Sequence, residues 1–212
     1  MTTSEATAKT GTTTVAIICK DGVVLAADKR VTAGYVANKR FRKIVPITDK
    51  IAVTVAGTVS DVQLLSRLLK AELKLKDLQT TRTSSVREAA NLLSGMVYNN
   101  FRKFGMPGIT GFLLGGVDEA GYHAFEIGID GSVMDIEEYT SDGSGCVFAL
   151  GVLETLYKKG MSIEDGIKLA GKAINAAIQR DTASGNGIDI LTVTADGANF
   201  ALEKEINTRL EI

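Results

Sequence analysis

GTTTVAIIC at residues 11–19 and GVVLAAD at residues 22–28 are two runs rich in valine, isoleucine and small residues, separated only by Lys20 and Asp21. β-Branched side chains fit a pleated, half-buried surface, and an Asp-Gly step between two such runs is a strong hairpin signal. The fold therefore opens on an antiparallel strand pair. The boundary at Gly11/Thr12 is sharp, because the preceding residues MTTSEATAKTG are small and polar, with neither the apolar core of an export signal nor an arginine-rich amphipathic face. They read as a removable tail.

Working outward, a polar stretch from Asp28 to Arg42 leads to KIVPI and KIAVTVAG, separated by Thr48-Asp49 and closed by Gly57, which predicts a four-strand opening block. Leu64, Leu65, Leu68, Leu69 and Leu73 recur at helical spacing over Ser60 to Leu78, with Ser60-Asp61 as the start signal. A second helix is predicted from about Ser84 to Phe104, with Val86, Ala90, Leu93, Met96 and Val97 on one side and a stop at Gly105-Met106-Pro107. Strands return as ITGFLLGGV, YHAFEIGI and SVMDIEEYT. Two more helices follow, Val147 to Lys159 and Ser162 to Arg180, the latter with a Ser162/Asp165 capping box. GIDILTVTA and ANFALE close the chain around Asp196-Gly197.

Strands, two helices, strands, two helices, strands is not the strict alternation of a doubly wound parallel sheet. The order predicts one α+β domain, a four-layer αββα sandwich of two antiparallel sheets with a helix pair outside each. At 212 residues one core suffices, and no repeat or low-complexity linker divides it.

Composition narrows the function classes. A formal net charge of −1 gives no field to recruit nucleic acid, and no apolar run approaches the roughly 18 residues that span a bilayer. Cys19 and Cys146 stand far apart without metal spacing, which suits a reducing, cytoplasmic compartment. His123 is the single histidine and lies mid-strand, so a serine or cysteine protease triad lacks its base, and metal catalysis lacks ligands.

Taken singly, the candidate residues have ordinary readings. Thr12 to Thr14 starts a strand, Asp28, Lys43 and Asp181 are loop charges, and Gly143-Ser144-Gly145 is a turn before a helix. Their joint order is less ordinary. GTTTVAI, DGVVLAADKRVTAG, VAGTVSDVQ, SDGSG, GVLE and RDTASGNGID occur in the order and at the spacing of proteasome β subunits, and the chain from Thr12 to about Asp189 resembles that family of N-terminal nucleophile hydrolases.

That resemblance, closest to the archaeal catalytic type, implies a propeptide of residues 1–11 removed by self-cleavage at Gly11/Thr12 and a peptidase domain from 12 to 212. It implies a threonine endopeptidase with Thr12 as nucleophile, Lys43 as an ammonium beside its hydroxyl, and Asp28 pairing with Lys43. Ser144, Asp181 and Ser184 would hydrogen-bond around the α-amine and Thr12, and Gly57 would offer its backbone N–H to the oxyanion. Substrate would lie as an antiparallel strand between the segments around Thr32 to Gly34 and Gly57 to Val59. Val31, Val45, Val55, Val59 and Phe41 match the first specificity pocket, and their apolar character implies cleavage after hydrophobic residues. The implied partners are α subunits and other β subunits in stacked seven-membered rings, a regulatory ATPase reached through the α ring, and unfolded protein substrates. No cofactor, metal, nucleic acid or membrane is implied.

The chemistry is also arguable from residue types. A threonine hydroxyl needs an adjacent base, and cleavage before Thr12 would supply the chain's own α-amine, whose pKa of roughly 7.7 to 8.0 lies near working pH. Such transfer commonly contributes about 10² to 10⁴ in rate. Gly11, lacking a Cβ, tolerates the backbone strain of attack on its own carbonyl. Between Thr32 and Lys43 the chain is one residue shorter than the family pattern, so the lysine role rests on the string RKIVPI, with Lys39 and Arg42 as competitors. A basic residue directly before IVPI points to Lys43, and arginine cannot act as a compact ammonium. Alternatives from the same superfamily are a non-catalytic ring subunit, the smaller bacterial peptidase that pairs with a heat-shock ATPase, and an amidase. An α-type subunit is disfavoured by the lack of a helical extension before the first strand.

Overall fold

A computed structural model describes residues 11–103 and 108–206. In chain order the elements are β1 (Thr14–Cys19), β2 (Gly22–Asp28), β3 (Val31–Thr32), β4 (Val36–Asn38), β5 (Ile44–Thr48), β6 (Ile51–Gly57), α1 (Val59–Thr80), α2 (Val86–Phe101), β7 (Thr110–Asp118), β8 (Gly121–Ile127), β9 (Val133–Ile136), β10 (Tyr139–Asp142), α3 (Cys146–Leu156), α4 (Ile163–Arg180), β11 (Gly187–Thr194) and β12 (Gly197–Glu205). One sheet runs β10-β1-β2-β11-β12, the other β5-β6-β7-β8-β9, and β3-β4 is a separate two-stranded ribbon. Every recorded strand pairing is antiparallel.

The central strands β1, β2, β6, β7 and β11 are buried on both faces, which explains why the sequence shows apolar runs there rather than clean alternation. In β1, Val15 and Ile17 face α3 and α4 while Ala16 faces the opposite sheet, and in β2 Val24 and Ala26 divide from Val23 and Leu25 in the same way. Ala16, Leu25, Leu113, Ala124 and Leu191 fill the space between sheets. Leu65, Leu69 and Leu73 of α1 and Val86, Leu93 and Val97 of α2 cover Val53, Phe112 and Leu114 on the far side. These layers are the expected αββα sandwich, since each sheet must bury a second apolar face and a helix pair supplies the cover.

Several local expectations differ. The opening strands do not form one block: β1 and β2 sit in one sheet, β5 and β6 in the other. The stretch before Arg42, read as polar connection, contains β3 and β4. SVMDIEEYT is not one strand, because the chain leaves the second sheet after Ile136 and enters the first at Tyr139. Helix α1 starts one residue before Ser60, and its N-cap Thr58 makes no side-chain cap bond. Leu64 and Leu68 are exposed, at 41% and 42%, and the buried stripe instead runs through Val62 and Ser66. The complete capping box is Ser85/Glu88 on α2; at α4 the Ser162 hydroxyl accepts from the Asp165 N–H. Helix α2 ends at Phe101, and the stop expected at 105–107 lies outside the described residues, as do residues 1–10 of the expected propeptide. Among the described residues no helix is long and apolar enough to cross a membrane.

Candidate active site

The site forms where β1 begins, at the edge between the two sheets. Thr12 is 5% exposed. Thr12 Oγ1 donates to the Gly11 carbonyl oxygen at 2.7 Å, and Lys43 Nζ donates to the same oxygen at 3.0 Å. The hydroxyl and the ammonium therefore meet on one carbonyl rather than bonding to each other, a refinement of the expected Lys43–Thr12 contact. The Gly11 N–H is tied to Thr32 Oγ1 at 2.9 Å, which orients that carbonyl from the other side.

Lys43 and Asp28 form a buried pair at 2.7 Å, with side chains 2% and 0% exposed. Burial pushes the Lys43 ammonium below its ordinary pKa, against the pull of Asp28. Asp28 ends β2, and its two oxygens take three backbone donors besides Lys43: Thr13 N–H on Oδ1, and Arg30 and Gly185 N–H on Oδ2, each at 2.9 Å. A buried charge needs such satisfaction. Lys39 and Arg42 are exposed and take no part, and Arg42 instead pairs with Glu203 and lies over the Phe200 ring.

A second arm reaches Thr12 from the opposite side. Gly143 turns the chain after β10 with φ of 97°, and Ser144 Oγ accepts from the Thr12 N–H at 3.3 Å. Ser144 and Ser184 both donate to Asp181 Oδ2 at 2.6 Å. Burial would raise the Asp181 pKa, but those hydroxyls and the Ala183 N–H outweigh it and hold the carboxyl below its usual range. Since the single Ser184 proton goes to Asp181, the 2.7 Å contact between Ser184 and Thr13 has Thr13 donating. Ser184 thus grips Thr13 rather than Thr12, a correction to the expected role.

Gly57 ends β6 beside Thr12 with φ of 114°, and a Cβ there would lie 2.1 Å from the Ile109 carbonyl oxygen, so only glycine fits. Val31, Phe41, Val55 and Val59 line a small pocket of about 10 Å³ with Thr12, Lys43 and Gly57. Val62 joins them, unnoticed in the sequence because it reads simply as helix core. Val45 is not in this pocket; it lines a larger adjoining cleft with Phe41 and Val55. Gly34 sits exposed at the β3–β4 turn with φ of 77°. Sequence reasoning also missed Thr13, which bonds Asp28 through its N–H and Ser184 through its hydroxyl, and Arg30. Arg30 reaches from beside Asp28 to Thr182 O and Asn186 Oδ1 at 2.9 and 2.8 Å, clamping the loop that carries Asp181 and Ser184. The adjacent DKR string was the available signal for it.

A family model for proteasome subunits matches residues 8–193. Curated relatives include "Proteasome subunit beta" of Archaeoglobus profundus, 43% identical over 92% of this chain and 89% of the relative. The protein of that name from Nanoarchaeum equitans is 42% identical over 88% and 94%. "Proteasome subunit beta 1" of Thermococcus kodakarensis is 42% identical over 95% and 97%.

Proposed function

The chain belongs to the proteasome subunit family, and from that membership we propose that it is a catalytic β subunit of the proteasome core, a threonine endopeptidase that trims itself at Gly11/Thr12. Members of this family assemble into core rings with α subunits. The further reading is a cytoplasmic particle of seven-membered rings, fed with unfolded protein by a regulatory ATPase through the α ring.

One observation carries the proposal: Thr12 Oγ1 and Lys43 Nζ converge on the Gly11 carbonyl oxygen, at 2.7 and 3.0 Å. The ammonium stands where negative charge would develop on attack. In self-cleavage the Thr12 oxygen bonds to the Gly11 carbonyl carbon and the Gly11–Thr12 C–N bond breaks, with the hydroxyl proton ending on the Thr12 nitrogen. Water then hydrolyses the resulting ester. This releases residues 1–11 with the Gly11 carboxylate and leaves Thr12 with a free α-amine.

The same parts suit peptide hydrolysis afterwards. The α-amine, held by Ser144 and the Asp181 carboxylate behind it, takes the Thr12 hydroxyl proton and passes it to the leaving amine. Water discharges the acyl ester in a second step. The Lys43 ammonium, its pKa lowered by burial but its charge held by Asp28, favours the ionised hydroxyl electrostatically. The walls Val31, Val55 and Val59, together with the adjoining cleft that Phe41 and Val45 line, suit an apolar side chain before the cleaved bond.

Intact mass of the chain co-assembled with α subunits tests this. The parent chain loses the mass of residues 1–11 and hydrolyses a hydrophobic fluorogenic peptide, whereas Thr12→Ala keeps the tail and is inactive. A trimmed, active Thr12→Ala particle overturns the assignment.

A further inference from the structure

Lys29 stands between Asp28 and Arg30, and it is itself buried. Its Nζ lies 2.6 Å from Asp189 Oδ1, with the two side chains 9% and 0% exposed. Asp189 follows the alternation of Leu191 and Val193 in β11, so its carboxylate is directed into the space between the sheets. Its Oδ2 has no hydrogen-bond partner among the described residues, which leaves Lys29 as the one group there that offsets its charge. To reach it the lysine stem passes over Gly187, where a Cβ would lie 2.6 Å from Lys29 Cδ.

The backbone of Lys29 joins two segments that meet at the site. Its N–H donates to the Gly185 carbonyl oxygen at 3.1 Å, and its own carbonyl oxygen accepts the Phe41 N–H at 3.0 Å. Gly185 directly follows Ser184, and its N–H is also held by Asp28 Oδ2. Phe41 lines the small pocket beside Thr12. One residue therefore ties the loop that carries Asp181 and Ser184 to the segment that carries Phe41, and its side chain anchors both to β11.

Stability alone does not account for an ion pair in this place. Desolvating two charges offsets most of their attraction, and apolar residues of similar volume often serve as well or better. What a short charged hydrogen bond adds is direction, because it fixes the end of the lysine stem and with it the backbone groups on either side of the residue. We propose that Lys29 and Asp189 are positioning residues that set the Ser184 loop and the Phe41 wall in register with each other. The inference rests on the peptidase reading for the activity that this register serves. Such an activity tolerates little displacement, since a misplacement of about 1 Å arising away from the chemistry can cost roughly 10²-fold in rate.

The test is Lys29→Met/Asp189→Leu in particles co-assembled with α subunits, a pair of substitutions that removes both charges and so avoids the stranded carboxylate of a single variant. Amide hydrogen exchange read by mass spectrometry is expected to quicken about tenfold in segments 39–42 and 183–187 and to stay at the parent level in β1 and β6. In hydrolysis of a hydrophobic fluorogenic peptide, kcat is expected to fall about tenfold as the Ser184 loop loosens, and KM to rise about threefold as the Phe41 wall does. Parent-like exchange in either segment, or an equal rise in β1 and β6, overturns the positioning role. Hydrolysis within twofold of an active parent overturns it as well. Because exchange needs no turnover, an inactive parent whose variant shows the expected exchange pattern would refute the peptidase reading and leave the positioning role standing.

Discussion

Replacing Lys43 by methionine is the perturbation that most directly separates structure from chemistry at the Gly11–Thr12 junction. The substitution keeps most of the side-chain volume but removes the cation 2.7 Å from Asp28 and 3.0 Å from the Gly11 carbonyl. Taking one partner from a buried ion pair typically costs about 3–5 kcal/mol, because the other charge stays behind desolvated. Asp28 would retain three backbone N–H donors, from Thr13, Arg30 and Gly185, so the lower end, about 3 kcal/mol, is expected. Losing one donor to a developing oxyanion costs about 10² to 10³ in rate, so under the proposed mechanism processing and hydrolysis should each fall by at least that factor. Adding Asp28→Asn removes the stranded carboxylate and should restore much of the stability without restoring the rate. The assays are urea unfolding of the unassembled chain, a time course of propeptide loss by intact mass, and hydrolysis of a hydrophobic fluorogenic peptide by assembled particles. Lys43→Arg should fail nearly as badly, since a planar guanidinium cannot occupy the ammonium's place, while Lys39→Ala and Arg42→Ala should keep most activity. A Lys43→Met particle that trims itself and turns over within tenfold of the parent refutes the reasoning.

Other consequences are as specific. Gly57→Ala puts a Cβ against the Ile109 carbonyl at a φ of 114°, so at least ~1–2 kcal/mol of stability should be lost from backbone strain alone, with hydrolysis reduced further, as read by unfolding and kinetics. Lys29 and Asp189 form a second buried pair at 2.6 Å beside the site; Lys29→Met should cost about 3–5 kcal/mol in urea unfolding and Lys29→Met/Asp189→Leu much less. Asp181→Asn should slow hydrolysis about 10- to 100-fold by loosening Ser144, with the processed mass still appearing, only later. The Asp181 pKa is depressed in the folded chain, so its contribution to stability is present above the ordinary carboxylate value of 3.8 and is lost as pH falls through the lower folded value. Lys43 has the same sense in a higher window: its folded pKa lies below 10.5, so the unfolded chain binds the proton more tightly and stability should rise with pH from the folded value up to 10.5, a rise absent in Lys43→Met.

Much of this protein was legible in the order of its residues, because strand and helix periodicity, turn glycines and caps are local signals. The αββα layering followed from helix pairs between strand groups, and the candidate site residues Thr12, Asp28, Lys43, Ser144, Asp181 and Ser184 were read from short strings that resemble the family's motifs. What stayed hidden is non-local. Sequence adjacency made β1, β2, β5 and β6 look like one block, yet each pair needs a different helix pair to bury its outer face, so the chain divides them between two sheets. It broke SVMDIEEYT at Glu137-Glu138 for the same reason, since a segment crossing from one sheet to the other cannot stay in one ladder. The string RKIVPI pointed to Lys43 over Lys39 and Arg42, but only the tertiary structure shows that Lys43 alone of the three is buried, with a carboxylate at 2.7 Å. The bonds of Thr13 to Ser184 and of Arg30 to Asn186 could not be read from the sequence because those partners lie more than 150 residues away in the loop after α4, a closeness that exists only once β2 and β11 pair side by side.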